Sequence, residues 1–476
     1  VHDQLEKQLY FYDAQFRALG VPLLYLPRLR MPDPTVKRAR GFLQPSARAS
    51  NLLGIGGVLP YFIPIGDHAD ITLTPYVSAQ TTTLELRYRQ EYSDGNIRLK
   101  GAVSQDTLLP EQLRAYLFAN GSFKLARDLT LAFDVEITSD ASYLSTYGYS
   151  NKDRLDDAIS LTRTRRNEYL NAGLLGFETL RASELPIDDQ LPNFQGELSF
   201  ERRFFPAGIG GQGIWKLDIQ GHRRSSSIDQ IGRDVLRFGA RVNWSRDHVS
   251  GSGIVMRAGG GLTSDIYVIT QDTSYAPLSA RLNPALEAEL RWPHARGLAS
   301  GGYQITEPVV HIGWAESFGD TPPDEDGTNV EFDEGNLYAL SRFHGADRIE
   351  NGLRLTSGMS WTHIDPDGWN LGLTAARVTR LNNESQFSDA SGLNGMNSDW
   401  LLAARYKPNG RIALETRALL ADDLSITKAE ARLKLRAGRL SLSSNYAWII
   451  ADPLENRASS ASQMALSGSY KISRHL

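Results

Sequence analysis

Apolar and polar side chains alternate one for one along most of this chain. From Thr83 to Arg89, Leu84, Leu86 and Tyr88 fall on one side and Glu85, Arg87 and Arg89 on the other, the period-two pattern of a strand whose two faces meet different surroundings. After Ser93-Asp94-Gly95-Asn96, a hairpin turn by composition, Ile97, Leu99, Gly101 and Val103 oppose Arg98 and Lys100. The same pattern sets Leu129, Leu131, Phe133, Val135 and Ile137 against Thr130, Asp134 and Glu136, and Ala429, Ala431, Leu433 and Leu435 against Glu430, Arg432, Lys434 and Arg436. Roughly 22 strands of about 9–13 residues are predicted, joined by alternating short and long connections in up-and-down order. Helical periodicity is scarce, and polar clusters such as Thr321-Pro322-Pro323-Asp324-Glu325-Asp326-Gly327 supply the turns.

Alternation alone does not say which face looks outward. Two features favour an apolar face on lipid and a charged face on a watery lumen. The strands exceed the usual length of about 5–6 residues in soluble sheets, and several carry charges in succession on one face. Tyr88, Tyr92, Tyr116, Phe118, Tyr267, Trp292, Trp314, Trp400, Tyr406 and Trp448 lie near strand ends, where amphipathic rings suit a membrane interface; scattered core or surface aromatics are the plain alternative. Residues 1–40 differ, reading as short apolar strands broken by prolines, with a boundary between Thr35 and Arg40.

Composition narrows the classes. Across 476 residues, 51 Lys+Arg meet 55 Asp+Glu for a formal charge of −4, so no basic surface advertises nucleic acid. Cysteine is absent, which removes disulfides and thiolate chemistry from this stretch. Mean hydropathy is −0.33 and no run approaches the roughly 18 apolar residues of a membrane helix, which excludes a helical membrane protein and leaves a membrane barrel open. The chain opens Val1-His2-Asp3 without a signal peptide and closes on a strand-like run ending Lys471-Ile472-Ser473, so a segment of a longer protein is expected.

Catalytic motifs are missing. Gly208-Ile209-Gly210-Gly211-Gln212-Gly213 satisfies G-x-G-x-x-G, but Ile214 to Ile219 continues as a strand, whereas a dinucleotide site needs a helix opening there. The nine histidines are dispersed. Acidic pairs such as Asp156-Asp157 and Asp422-Asp423 read as solvated turns. The run Asp324 to Asn329, with Asp333 and Glu334, gathers hard oxygen ligands but lacks calcium-loop spacing, so a solvent-exposed loop is expected there and no metal is assigned.

Two stretches carry a family resemblance. Gly20-Val21-Pro22-Leu23-Leu24-Tyr25-Leu26-Pro27, followed by Leu59-Pro60-Tyr61-Phe62, is one. Phe332-Asp333-Glu334-Gly335-Asn336-Leu337-Tyr338, leading to Arg342-Phe343-His344-Gly345-Ala346-Asp347-Arg348, is the other. In order and separation both resemble the outer-membrane LPS-assembly family LptD, also called OstA or Imp. The resemblance implies an all-β fold, a transmembrane barrel of about 26 strands preceded by a periplasmic β-jelly roll. Residues 1–36 then hold the last jelly-roll strands and a linker, and residues 37–476 the barrel, with roughly four C-terminal strands missing. It further implies an outer-membrane lipopolysaccharide translocon that is no enzyme and needs no cofactor. Its N-terminal part lies in the periplasm and receives cargo from the bridge protein LptA. The barrel holds the plug lipoprotein LptE and opens to outer-membrane lipid through a lateral gate between first and last strands. On this chain Phe16, Leu23, Leu24, Tyr25 and Leu26 are expected to line a groove for acyl chains. Pro45 and Pro60 fall in the first and second barrel strands, where proline weakens pairing. Asn336, Arg342, Phe343, Gly345, Asp347 and Arg348 form the signature. Arg342, Asp347 and Arg348 are expected in an inward-folded loop, bonded to lumen charges or to LptE. The family's cysteines would lie outside this segment.

Two other functions compete. A general diffusion or nutrient channel of porin or receptor type predicts an open conductance and, for a receptor, a plug domain that residues 1–40 are too short to supply. A secreted carbohydrate-active β protein needs a pair of carboxylates converging on one cleft.

Overall fold

The computed structural model describes residues 2–3, 8–18, 21–33, 35–36, 38–327, 330–383, 385–455 and 457–472. Strand dominates them. The α-helix Tyr143–Tyr147 is five residues long, and no helix among the described residues is long and apolar enough to cross a membrane. Strands His2–Asp3, Gln8–Ala18 and Val21–Pro32 form a sheet of their own, and the other 26 segments belong to one antiparallel sheet. Four of those segments run on from a neighbour through a break, at residues 43–45, 59–60, 292–293 and 316–317. Counting each broken pair once leaves 22 spans among the described residues, in line with the alternation.

The chain divides into two compact units. The first holds Val1–Phe200, Ile219–Leu236 and Thr270–Asp272; the second holds Glu201–Asp218, Arg237–Ile269 and Thr273–Leu476. In the first, Thr81–Tyr92 pairs along all 12 of its residues with Gly95–Asp106, whereas Ser46–Ser50 meets Gly54–Val58 over only five. In the second, successive strands from Val255–Thr270 to Ala461–Tyr470 pair antiparallel. Short turns such as 298–302, 410–411 and 438–439 close one end; loops 320–351, 381–399 and 450–460 crown the other.

The sheet is inside out by the standard of a soluble protein. Along Leu278–Arg291, Leu278, Leu282, Leu286 and Leu290 are exposed (42–64%), while Ser279, Arg281, Asn283 and Glu289 are at most 6% exposed. Three arginines, Arg114, Arg342 and Arg354, are among the largest fully buried side chains. Water would favour the reverse arrangement, because ionic groups lose hydration on burial and leucines gain by it. Lipid outside and matched charge inside reconcile both, since a bilayer accepts the leucine face and buried inner ions such as Arg114 and Arg342 close on carboxylates. The fold is thus all-β, of the large antiparallel transmembrane barrel class.

Two expectations need correction. Tyr116 and Tyr267, read as interfacial aromatics, are buried at 4% and 1%; their register parity places them on the polar face, where their rings join side-chain networks. Tyr92, Trp292, Trp400 and Tyr406 are the exposed strand-end aromatics. The prolines of the first sheet do not break it into short strands, for Val21–Pro32 is one run paired with Gln8–Ala18. Proline survives there because that strand pairs along one edge only. Pro27 also drops out of the register opposite Asp13, which takes a positive φ of 53°.

Leu286→Arg, at the middle of its strand on the lipid side, is expected to destabilise the folded protein by about 2–4 kcal/mol, read from denaturant titration in lipid vesicles.

Candidate functional site

Loop 320–351, between Phe318–Gly319 and Gly352–Ile364, has almost no regular structure, yet it is packed rather than solvated. Phe332, Leu337 and Phe343 are buried with Ala376, Val378, Phe387, Leu393, Leu401 and Leu419. In the acidic run Asp326 and Glu334 are exposed, as expected, while the apolar residues that follow are buried. Near the long-loop end the inner face carries alanine, valine and leucine instead of charge, and the loop's own apolar residues cover them.

Glu350 anchors the loop. Its side chain is 0% exposed; Oε2 accepts from Arg342 Nη1 at 2.8 Å, and Oε1 from Arg380 Nη2 at 2.8 Å and Nε at 3.2 Å. Arg354 Nε stands 3.8 Å away. Burial alone would raise the Glu350 carboxyl, but Arg342, Arg354 and Arg380 outweigh it and hold it below the ordinary carboxylate range. The arginines also reach backbone: Arg342 Nη2 donates to Leu337 O at 2.5 Å and Arg380 Nη1 to Leu393 O at 2.8 Å. One carboxylate therefore ties together loop 320–351, strands Gly352–Ile364 and Asn370–Arg380, and loop 381–399.

A second arm crosses the sheet. Arg237 and Arg281 both grip Asp265, at 3.0 and 3.1 Å, and Arg281 Nη1 donates to Asp347 O at 2.5 Å. Asp347 Oδ1 accepts from the Tyr267 hydroxyl at 3.2 Å and Oδ2 from Glu325 N at 3.0 Å. Burial, with Asp326 beside it, pushes the Asp347 carboxyl up to about 6. Asp324, Asp326 and Asp347 bring one oxygen each within 4.8 Å of the others. Backbone donors already meet them: Ala346 N and Asp347 N on Asp326 at 2.8 and 3.0 Å, and Gly327 N on Asp324 at 2.7 Å. The trio thus shapes the loop.

Each signature residue has a place in this fold. Asn336 Oδ1 accepts from Asp333 N at 3.0 Å, and its Nδ2 donates to Glu331 O. Phe343 stacks on Phe387 at 4.7 Å, and the Arg348 guanidinium lies 4.2 Å from the Phe343 ring centre while donating to Gln386 O at 2.7 Å. Gly345 has φ +70°, and a Cβ there would sit 1.9 Å from Asp326 Cγ, so only glycine fits.

A smaller inner cluster lies beside the first strands. The helix Tyr143–Tyr147 folds onto Leu53, Val58, Tyr76, Ala102 and Tyr116. Arg114 bridges Asp106 at 3.0 Å and Asp140 at 2.8 Å; burial opposes ionisation of Asp140, but Arg114 and Ser142 hold it down at about 2. Arg48, on Ser46–Ser50, pairs with Glu85 at 2.8 Å, and its guanidinium stands 4.8 Å from the Tyr76 ring centre. Tyr149 donates to the same Glu85 at 3.0 Å.

Pro45 stands between Gly41–Phe42 and Ser46–Ser50, and Pro60 between Gly54–Val58 and Tyr61–Ile65. Each coincides with a break in strand. Tyr25 is exposed and donates to Asp13 at 2.5 Å. The side chains of Phe16, Leu23, Leu24 and Leu26 lie outside the described residues. Sequence reasoning assigned no role to Glu350, Arg354, Arg380, Arg281 or Asp265. Their signal was an ionic residue alternating with leucine, as Arg354 does between Leu353 and Leu355, which marks an inner face but names no partner.

An inside-out sheet, with a loop locked onto its charged face, defines a β-barrel of outer-membrane type. The particular family follows from comparison: the family model for LPS transport system D, LptD, matches residues 112–476, and the chain belongs to that family. It is similar to the LPS-assembly protein LptD of Marinobacter nauticus, 26% identical over 385 residues, covering 73% of this chain and 46% of that protein. The namesake from Nitrosococcus oceani is 30% identical over 378 residues, covering 74% and 48%. That from Hahella chejuensis is 25% identical over 376 residues, covering 72% and 45%. The chain spans about half the length of the curated relatives it matches. Among solved structures, the alcaligin outer membrane receptor FauA from Bordetella pertussis aligns over 93% of this chain and 78% of that one at 9% identity and a TM-score of 0.26, too loosely to bear on the argument.

Glu350→Gln removes the countercharge from three buried arginines and is expected to cost about 3–5 kcal/mol. Limited proteolysis should then cut loop 320–351 in the variant under conditions where the parent resists.

Proposed function

We propose that this chain is the membrane part of a lipopolysaccharide translocon. Lipopolysaccharide joins several acyl chains to an anionic saccharide, and neither part is stable in the other's surroundings. A barrel that is ionic within and apolar without offers one environment to each. The saccharide passes on the inner side, while the acyl chains leave through a lateral opening between first and last strands into the outer leaflet. In this reading residues 1–36 end a periplasmic jelly roll that takes cargo from LptA, with Tyr25 and its neighbours Phe16, Leu23, Leu24 and Leu26 along the acyl-chain groove. The plug lipoprotein LptE sits inside residues 37–476, and no reaction is turned over.

The observation that carries the gate is the poor attachment of the opening strands. Both are interrupted at proline, their mutual ladder is split into five pairs and two, and proline lends no N–H to join the pieces. A porin-like channel has no need of a weak seam, and loop 320–351 packs across the inner face that such a channel keeps open.

Photocrosslinking probes at Tyr25 and beside Arg342, on His344, are expected to capture lipopolysaccharide during export. Absence of lipopolysaccharide adducts at both positions, with the protein folded and exported, would exclude the proposed cargo. Pro45→Ala with Pro60→Ala, which restores two ladder donors, is expected to lower surface lipopolysaccharide severalfold in a permeability and surface-labelling assay. Unchanged surface levels in that double variant would remove the gate from these strands.

A further inference from the structure

The inner face of the last strands carries positive charge that the chain does not balance. Cross-strand register puts Arg405, Arg417, Lys428, Arg432, Lys434 and Arg436 on one side of the sheet, the side on which Arg417 meets Glu334 of the folded-in loop at 2.5 Å. Leu414 and Leu433 lie on the opposite, exposed side. Two carboxylates from these strands share the charged face, and both are taken: Glu415 pairs with Arg405 at 3.4 Å, and Glu430 with Arg417 at 2.8 Å and Lys428 at 3.0 Å. Arg432 donates from Nε to the neutral Asn445 Oδ1 at 3.0 Å. Lys434 and Arg436 have no carboxylate partner among the described residues, and all three cations are exposed. Elsewhere in this unit Arg237, Arg281, Arg342 and Arg380 each close on an aspartate or glutamate.

What lies beside the three cations is small and hydroxylic. Register sets Asn445, Ser443 and Ser441 opposite Arg432, Lys434 and Arg436, and Ser467 and Ser469 one strand further on; Ser443 and Ser467 hydroxyls lie 2.8 Å apart. Toward the long-loop end the strip opens into a cavity of about 740 Å³, where Arg405, Arg417 and Arg432 are matched by Glu334, Glu415 and Glu430. Alternate residues of a strand stand about 7 Å apart, so the three cations form a ladder of anion sites running from the turn at 438–439 up to that cavity. Guanidinium and ammonium groups bind phosphate oxygens by charge-assisted hydrogen bonds, and serine and asparagine side chains can both give and accept bonds with sugar hydroxyls.

We propose that this strip is a binding track for a phosphate-bearing saccharide. Arg432, Lys434 and Arg436 hold the phosphates, and Ser441, Ser443 and Ser467 the sugar hydroxyls. The proposal rests on lipopolysaccharide as the cargo and adds which part of it the last strands hold.

The test uses the full-length protein with its partners in lipid vesicles. The probes are a short-chain lipopolysaccharide and the same material stripped of its saccharide phosphates, each titrated at two salt concentrations. The parent is expected to bind the phosphorylated form about tenfold more tightly, a difference of about 1.4 kcal/mol, shrinking at high salt. Arg432→Gln with Lys434→Gln and Arg436→Gln should erase the preference, whereas Arg432→Lys with Arg436→Lys should keep it. Heat-dependent electrophoretic migration sets every variant at the same folded fraction. A neutralised triple variant that still prefers the phosphorylated form overturns the track, as does a parent that binds both forms equally well; the translocon reading survives either result. A parent that binds neither form overturns that reading as well.

Discussion

Hydrocarbon offers no partner to a peptide N–H or C=O, so a chain that crosses it must pair its backbone within itself. Every structural choice in this protein answers that demand. Antiparallel neighbours satisfy the backbone, leucine and valine take the lipid side, and along strands such as Leu278–Arg291 the ionic groups gather on the other face. Crowding charge there creates a second requirement, because a buried guanidinium left alone is costly. Asp265 between Arg237 and Arg281, and Glu350 among Arg342, Arg354 and Arg380, are the result. The signature loop is held by this charge matching as much as by its three buried apolar side chains.

Much of the fold was legible because strand periodicity is a local property. Leu278, Leu282, Leu286 and Leu290 announce their common face without knowledge of any partner. The tyrosines were harder. Tyr116 and Tyr267 look like interfacial rings by position, yet each lies on the polar side of its strand, and only parity counted from neighbours such as Leu117 and Ile266 distinguishes the cases. The partners of the signature residues were not legible at all. Glu350 is eight residues from Arg342 and thirty from Arg380, Arg281 reaches Asp347 across sixty-six, and nothing in a linear pattern selects one arginine from many. The acidic run gave only part of its loop: Asp326 and Glu334 do face water, but the phenylalanine and leucine residues between and beyond the carboxylates decide where the loop goes.

The two inner clusters divide the labour. In the first unit, tyrosines from the loop at 139–153 and the Arg48–Glu85 pair brace an N-terminal hairpin whose own ladder is short. In the second, the loop at 320–351 fills space over strands whose charges are mutually cancelled, and beyond it lies a strip whose charges are not. A neutralised wall and an unneutralised strip therefore sit on one face of the sheet.

The order of these contacts along the polypeptide has a kinetic consequence. Phe387, Leu393, Leu401 and Leu419, on which Phe332, Leu337 and Phe343 settle, are all made after the loop itself, so docking has to wait until those later ribbons are in position. Contacts of such wide sequence separation form slowly. Docking of the signature segment is therefore expected to come late, after those strands have paired.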